Sequence, residues 1–352
     1  MQAIPHNIYI HVPFCMSKCN YCAFFSQACV APDWGKYSAD ICDEIKYWAT
    51  KIGRFDVPTV FFGGGTPSLM PVECFAQIMN TICTHCNLPA GAEITLESNP
   101  ATIDKEKLNS MRNAGVNRLS IGVQSFDDAR LKFLGRRHSA DDARQLIASA
   151  QNIGLRVSAD FIYGLPQDTV DDVIKTCHQI NQIGLAHCSM YELTIEQNTP
   201  FGKMNLNMPD NDTMAQMYMA IGDTLKLPRY EVSNYAQGGD ECRHNQNVWD
   251  GAAYVGIGQG AAGRVYIDDT WYEQRGAYEQ FDKISNQTRA IEKVIMGMRT
   301  VRGCELTDDV KNVIDIAWIN SHPTLVRING GRVAATPQGM LVLDDIVEKM
   351  VR

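Results

Sequence analysis

The chain has 352 residues, 45% of them apolar and 20% charged, the balance of a folded globular protein rather than a disordered one. At about 150 residues per domain, that length suggests two or three domains. The net charge of −8 argues against non-specific nucleic-acid binding. Its apolar runs, such as Ile8 to Phe14 and Val57 to Phe62, stop far short of the roughly 20 residues that cross a bilayer. No charged segment with an apolar core opens the chain, so a cytoplasmic location is expected. Twelve cysteines in that setting read as thiols or metal ligands, not disulfides.

Short apolar segments alternate with amphipathic ones. Asn7–Phe14, Thr59–Phe62, Glu93–Glu97, Arg118–Val123, Arg156–Ile162 and Cys188–Leu193 predict strands. Trp34–Ile52, Pro71–Cys83, Asp104–Ala114, Asp141–Ile153 and Val170–Ile183 predict the helices between them. Three helices run into a glycine, Gly115, Gly154 or Gly184, the residue that closes a last turn in the left-handed conformation. Six strand-helix units in series predict an α/β chain with a parallel sheet. A full eight-unit barrel takes about 250 residues, and here the pattern fades near residue 200. The expectation is therefore a partial (β/α)6 barrel over residues 1–220, with a doubly wound open sheet as the competing topology.

Residues 221–285 read as an extension, aromatic and Gly-rich from Tyr230 to Gly263, after a Met- and Asn-rich stretch from Met204 to Met219. Gly256, Gly258, Gly260 and Gly263 mimic a dinucleotide fingerprint without its strand-turn-helix setting, so they are expected to form a loop allowing close backbone approach. Residues 286–352 read as a small winged-helix-like domain. Its marks are a helix at Arg289–Arg299, a turn at Asn329–Gly331 and a last helix capped by Thr336. The acidic residues of that last helix, Asp344, Asp345 and Glu348, favour a packing role over nucleic-acid binding.

Cys15, Cys19 and Cys22 give C-x3-C-x2-C directly after the first strand. Structural zinc draws its four ligands from paired elements, and no second pair with suitable spacing follows. Cys83 and Cys86 do form a C-x2-C, but at a helix end. Three soft thiolates suit an iron–sulfur cluster, and a four-iron cubane on three cysteines keeps one iron open for an exchangeable ligand.

The phrase from Tyr9 through Cys22 resembles the signature of the radical S-adenosylmethionine (SAM) superfamily. More narrowly it is similar to the branch holding the oxygen-independent coproporphyrinogen III oxidases and their haem-chaperone relatives. The likeness continues through Phe61–Ser68, Glu97–Pro100, Arg118–Phe126, Asp160–Pro166 and Cys242–Asn245, in order. It implies a [4Fe-4S] cluster on Cys15, Cys19 and Cys22, and SAM chelating the open iron through its amine and carboxylate. Reduction then yields a 5′-deoxyadenosyl radical. It further implies that Gly64, Gly65 and Thr66 cradle the SAM amine and that Glu97 takes the ribose hydroxyls. Gln124, Arg136 and Asp160 match SAM contacts, and Tyr9 and Tyr21 match positions flanking the cluster.

Within the branch, oxidases carry a fourth cysteine two residues after the third, where this chain has Phe24, and a longer segment before the cluster strand. Both differences point to a haem chaperone that binds haem as cargo and passes it to acceptor haem proteins. No nucleic acid is expected among its partners, and membrane contact only at second hand, through those acceptors. The chaperones have Asp after the third cysteine, where this chain has Ala23. Their haem motif H-N-x-x-Y-W stands here as His244-Asn245-Gln246-Asn247-Val248-Trp249, without the tyrosine. His244 is the expected haem contact and Trp249 a stacking wall. A radical SAM enzyme acting on a porphyrinogen is the alternative.

Overall fold

The computed structural model describes residues 4–275 and 280–352. Six strands, β1 (His6–Val12), β2 (Thr59–Gly64), β3 (Glu93–Ser98), β4 (Arg118–Gln124), β5 (Arg156–Tyr163) and β6 (His187–Glu192), lie side by side and parallel in chain order. A doubly wound sheet reverses its order at a switch point. This one does not, so the partial barrel stands.

The helices form where the sequence places their signals. Asp33 caps Trp34–Ile52 by accepting the Lys36 N–H at 2.9 Å, and Ile41, Ile45 and Trp48 then bury one face. Ser139 with Asp142, and Thr169 with Asp172, close reciprocal capping boxes on Ala140–Asn152 and Val170–Ile183. Gly184 ends the latter helix at φ 71°, as its position at the end of the apolar period predicts.

The sheet is larger than six strands. It continues with β7 (Asn234–Ala236), antiparallel to β6, and β8 (Ala253–Ile257), parallel to β1. Beyond β8 come β9 (Ala262–Ile267), β10 (Thr270–Arg275) and β11 (Phe281–Lys283) as an antiparallel meander. The glycine run is thus a pair of strands joined by a tight turn, not a loop. A Cβ on Gly256 would lie 2.3 Å from the Ala262 carbonyl oxygen, so the crossing of the two strands needs glycine there. The helix Asn211–Thr224 runs through residue 220, and the strands between 221 and 285 bond into the barrel sheet.

Side chains alternate across each strand. Ile8, Ile10 and Val12 join the apolar core beneath the helices, while Asn7, Tyr9 and His11 face the inside of the barrel. A second apolar cluster, including Val294, Met298, Ile314, Val333 and Ile346, lies within residues 286–352. There the helices Asn286–Met298, Asp308–Val313 and Ile316–Ser321 precede the hairpin Val326–Asn329 and Arg332–Ala335 and the closing helix Leu343–Met350. The Thr336 hydroxyl accepts the Gly339 N–H at 3.0 Å, opening a short 3-10 turn before that last helix. No helix among the described residues is long and apolar enough to cross a membrane.

Candidate functional site

A cavity of about 460 Å³ opens at the C-terminal ends of the parallel strands. That end of a parallel barrel is where ligand sites collect, because every strand delivers a loop there. Past β1 the chain makes the cluster loop, and backbone bonds pin it on several sides. Phe14–Cys15 pairs with Gln27–Ala28, Gly65 N–H donates to the Val12 carbonyl at 2.7 Å, and Thr66 N–H donates to the Phe14 carbonyl at 2.8 Å. The Asn20 amide nitrogen donates to the Phe133 carbonyl at 2.8 Å. His11 Nε2 lies 2.7 Å from the Phe25 carbonyl and so donates to it. The other ring nitrogen, Nδ1, then accepts the Tyr9 hydroxyl at 2.9 Å. Burial holds His11 below its usual pKa, which keeps it in this neutral form.

Cys15, Cys19 and Cys22 all line the cavity. Among the described residues, no three His, Cys, Asp or Glu side chains are gathered around a single ion. Three soft thiols lining one cavity, with no fourth protein ligand beside them among the described residues, are the donor set that an iron–sulfur cluster takes. Thr66 Oγ1 donates to Cys15 Sγ at 3.5 Å and Arg136 Nη1 to Cys19 Sγ at 3.4 Å, so the sulfurs already sit among donors that suit thiolates.

The remaining wall comes from one strand end after another. Gly64, at φ 115°, donates its N–H to Glu97 Oε2 at 3.0 Å. A Cβ there would strike the His11 ring at 2.6 Å, and one on Gly65 would lie 2.6 Å from the Phe14 carbonyl oxygen and 3.0 Å from Cys15 Sγ. Glycine is what lets the chain lie flat against the cluster loop. At the end of β4 a bulge leaves Gln124 at φ 64°, a left-handed conformation rare for a side-chain residue and frequent at functional sites. Arg136 Nη2 donates to the Gly122 carbonyl at 2.7 Å, while its buried Nε has no partner, an orphaned donor on the cavity wall.

Two carboxyls converge on the same space. Burial first, and then the nearby Asp160, push the Glu97 carboxyl up to about 8, against the pull of the Gly64 N–H. Burial raises Asp160 too, although the Ser189 and Ser120 hydroxyls donate to it at 2.7 and 3.2 Å. The carboxyl pair suits the hydroxyl donors of a ligand, and the unpaired guanidinium nitrogen suits an acceptor on that ligand.

The structure brings Tyr21, Gly64, Gly65, Thr66, Glu97, Gln124, Arg136 and Asp160 to one cavity with the three cysteines. Arg137, the neighbour with which Arg136 is easily confused in the sequence, is exposed. Tyr9 stands just below the cavity, stacked on Phe61 and bonded to His11. His244 is elsewhere. It lies on the helix Arg243–Trp249 beneath the opposite, N-terminal end of the barrel, only 5% exposed, with Nδ1 2.7 Å from Thr59 Oγ1. Trp249 is buried beside Tyr230. Cys83, on the helix Val72–His85, and Cys86, which caps it, do not line the cavity. Sequence reasoning passed over Ser120, Ser189 and Tyr191. Period-two alternation is the signal that finds them, since Ser120 precedes Gly122 by one inward step on β4 and Ser189 precedes Tyr191 likewise on β6.

Residues 9–180 match the model of the Radical SAM superfamily. The chain is 37% identical over 273 residues to the heme chaperone HemW of Escherichia coli K12, covering 75% of this chain and 71% of that one. It is 30% identical to the heme chaperone HemW of Mycobacterium tuberculosis H37Rv, across 100% of this chain and 96% of the other. The solved structure of the coproporphyrinogen III oxidase HemN from Escherichia coli superimposes with a TM-score of 0.82 at 18% identity, over 99% of this chain and 90% of that one. Fold and three-cysteine cavity together define a radical SAM protein. Within that superfamily the chain belongs to the HemW family.

Proposed function

We propose that this chain is a haem chaperone: a radical SAM scaffold that binds haem and delivers it to acceptor haem proteins in the cytoplasm. The observation that carries the reading is the 30% identity to a named heme chaperone along the whole chain. Phe24 adds to it, since an exposed aromatic occupies the place of the oxidases' fourth cysteine on the cavity wall. In this reading Cys15, Cys19 and Cys22 hold a [4Fe-4S] cluster, whose chemistry when bound is one-electron reduction. Gly64, Gly65 and Thr66 seat the amine end of SAM by leaving room for it, and Glu97 orients the ribose. Gln124, Arg136 and Asp160 complete the wall, and Tyr21 packs beside Arg136. None of these residues needs to act as a catalytic acid or base for haem to be carried.

The test is anaerobic reconstitution followed by two separate additions, haem, and coproporphyrinogen III together with SAM, a reductant for the cluster and an electron acceptor. A Soret band with haem, and no protoporphyrinogen from the second substrate under reducing conditions, is the expected result. Protoporphyrinogen formation would overturn the chaperone reading in favour of an oxidase.

A further inference from the structure

The cluster loop presents large apolar side chains to water instead of burying them. Phe24 is 68% exposed and Phe25 is 51% exposed. This is not a slack segment. The Phe25 carbonyl is held by His11 Nε2 at 2.7 Å, and a Cβ on Gly260 would lie 2.4 Å from the Phe25 ring, so the turn after β8 presses directly on it. A fixed backbone that holds two aromatic rings out in solvent is a preformed apolar face, and such faces mark binding sites. Phe24 forms part of the cavity wall, with Lys18 beside it, Nζ 3.4 Å from the Phe24 carbonyl oxygen. The facing wall carries Tyr191 and two carboxylates, Glu192 and Glu196.

We infer that haem sits at the mouth of this cavity, one face of its ring on Phe24 and its propionates turned toward Lys18. The inference rests on the chaperone reading and gives that function a place. A planar apolar ring with two carboxylates at one edge matches what the mouth offers: an aromatic plate, a cation on the same side, and acidic groups opposite that repel the propionates from the other edge. The buried His244, under the far end of the barrel, offers neither an open face nor room.

The experiment is haem titration, followed by Soret absorbance, of cluster-loaded wild type and of Phe24→Ser, Lys18→Glu and Val30→Ser. Cluster absorbance and melting temperature check each fold. Phe24→Ser is expected to weaken haem binding about tenfold or more, the loss of one buried aromatic face. Lys18→Glu should weaken it about threefold, as for an exposed ion pair. Val30→Ser, on the same loop at 93% exposure but off the cavity wall, should stay within about twofold of wild type. Wild-type haem affinity in both Phe24→Ser and Lys18→Glu would overturn this site and leave the chaperone reading standing. No Soret change in the wild-type protein would overturn both.

Discussion

Glu93 and Glu97 share one strand and one face, yet they sit in opposite chemistry. Glu93, at the N-terminal end of β3, is fully buried and satisfied. Its carboxylate accepts the Arg156 guanidinium at 2.8 Å, the His244 N–H at 3.0 Å and the Arg243 N–H at 3.2 Å. Burial pushes its pKa up, but the Arg118 charge, the His244 N–H and the Arg156 side chain outweigh it, and the group ends below its usual value. Four residues on, Glu97 faces the cavity with one backbone N–H and an acidic neighbour, and rises to about 8. The lower end of the barrel is a sealed polar plug, with the helix Arg243–Trp249 as its stopper. The upper end keeps its polar groups short of partners. A site that must take a charged ligand is built by leaving bonds unmade where the strands end and completing them where the strands begin.

Several substitutions break this contrast. Replacing Cys15, Cys19 or Cys22 with Ala should have the largest effect, complete loss of cluster iron and of its broad charge-transfer absorbance, because thiolates hold the iron. Cys83→Ala is the control and should keep both. Next comes Glu93→Gln at the sealed end. It removes the carboxylate beside the buried Arg118 and leaves Arg156 with Asp240 as its remaining carboxylate partner, and melting or denaturant titration should show a loss of about 3–5 kcal/mol. If Glu93→Gln melts like wild type, the plug is not what closes the barrel.

Glu97→Gln should do the reverse: leave stability near wild type and weaken SAM binding by about 1–3 kcal/mol, the cost of losing hydrogen bonds to a charged acceptor. Here the pH profile sharpens the comparison. Ribose hydroxyls donate to the ionised carboxylate, while the free protein holds Glu97 protonated up to about 8. SAM affinity in the wild type should therefore climb as pH rises toward that value, by at most about tenfold per unit, and level off above it. In Glu97→Gln the curve should be flat below 8. Equal slopes in the two proteins would place the titrating group elsewhere.

Much of this architecture is local in origin and so was legible beforehand. The six parallel strands and five of the helices follow from apolar period, caps and terminal glycines, and the bounds differ by a residue or two, where helix and strand ends fray. The cluster cysteines were legible for the same reason: three thiols within eight positions must lie near one another whatever the rest of the chain does. That Gly64, Gly65, Thr66, Glu97, Gln124, Arg136 and Asp160 would share one cavity was legible through the family likeness and their places at strand ends.

What only the tertiary structure decided is pairing over long sequence distances. Ala253–Ile257 is too short to announce its neighbour, and nothing local says that it lies parallel to β1, some 246 residues earlier at Asn7 and Ala253. His244 read as a haem contact because a lone histidine in a matched motif carries no mark of burial. Its fate was settled by Thr59 and Glu93, residues from two other strands that close over it. The sequence by itself determined which segments are strands and helices and which thiols cluster. Which carboxylate is sealed and which is left open depended on the alignment of six strands, since desolvation and charge act through space rather than along the chain.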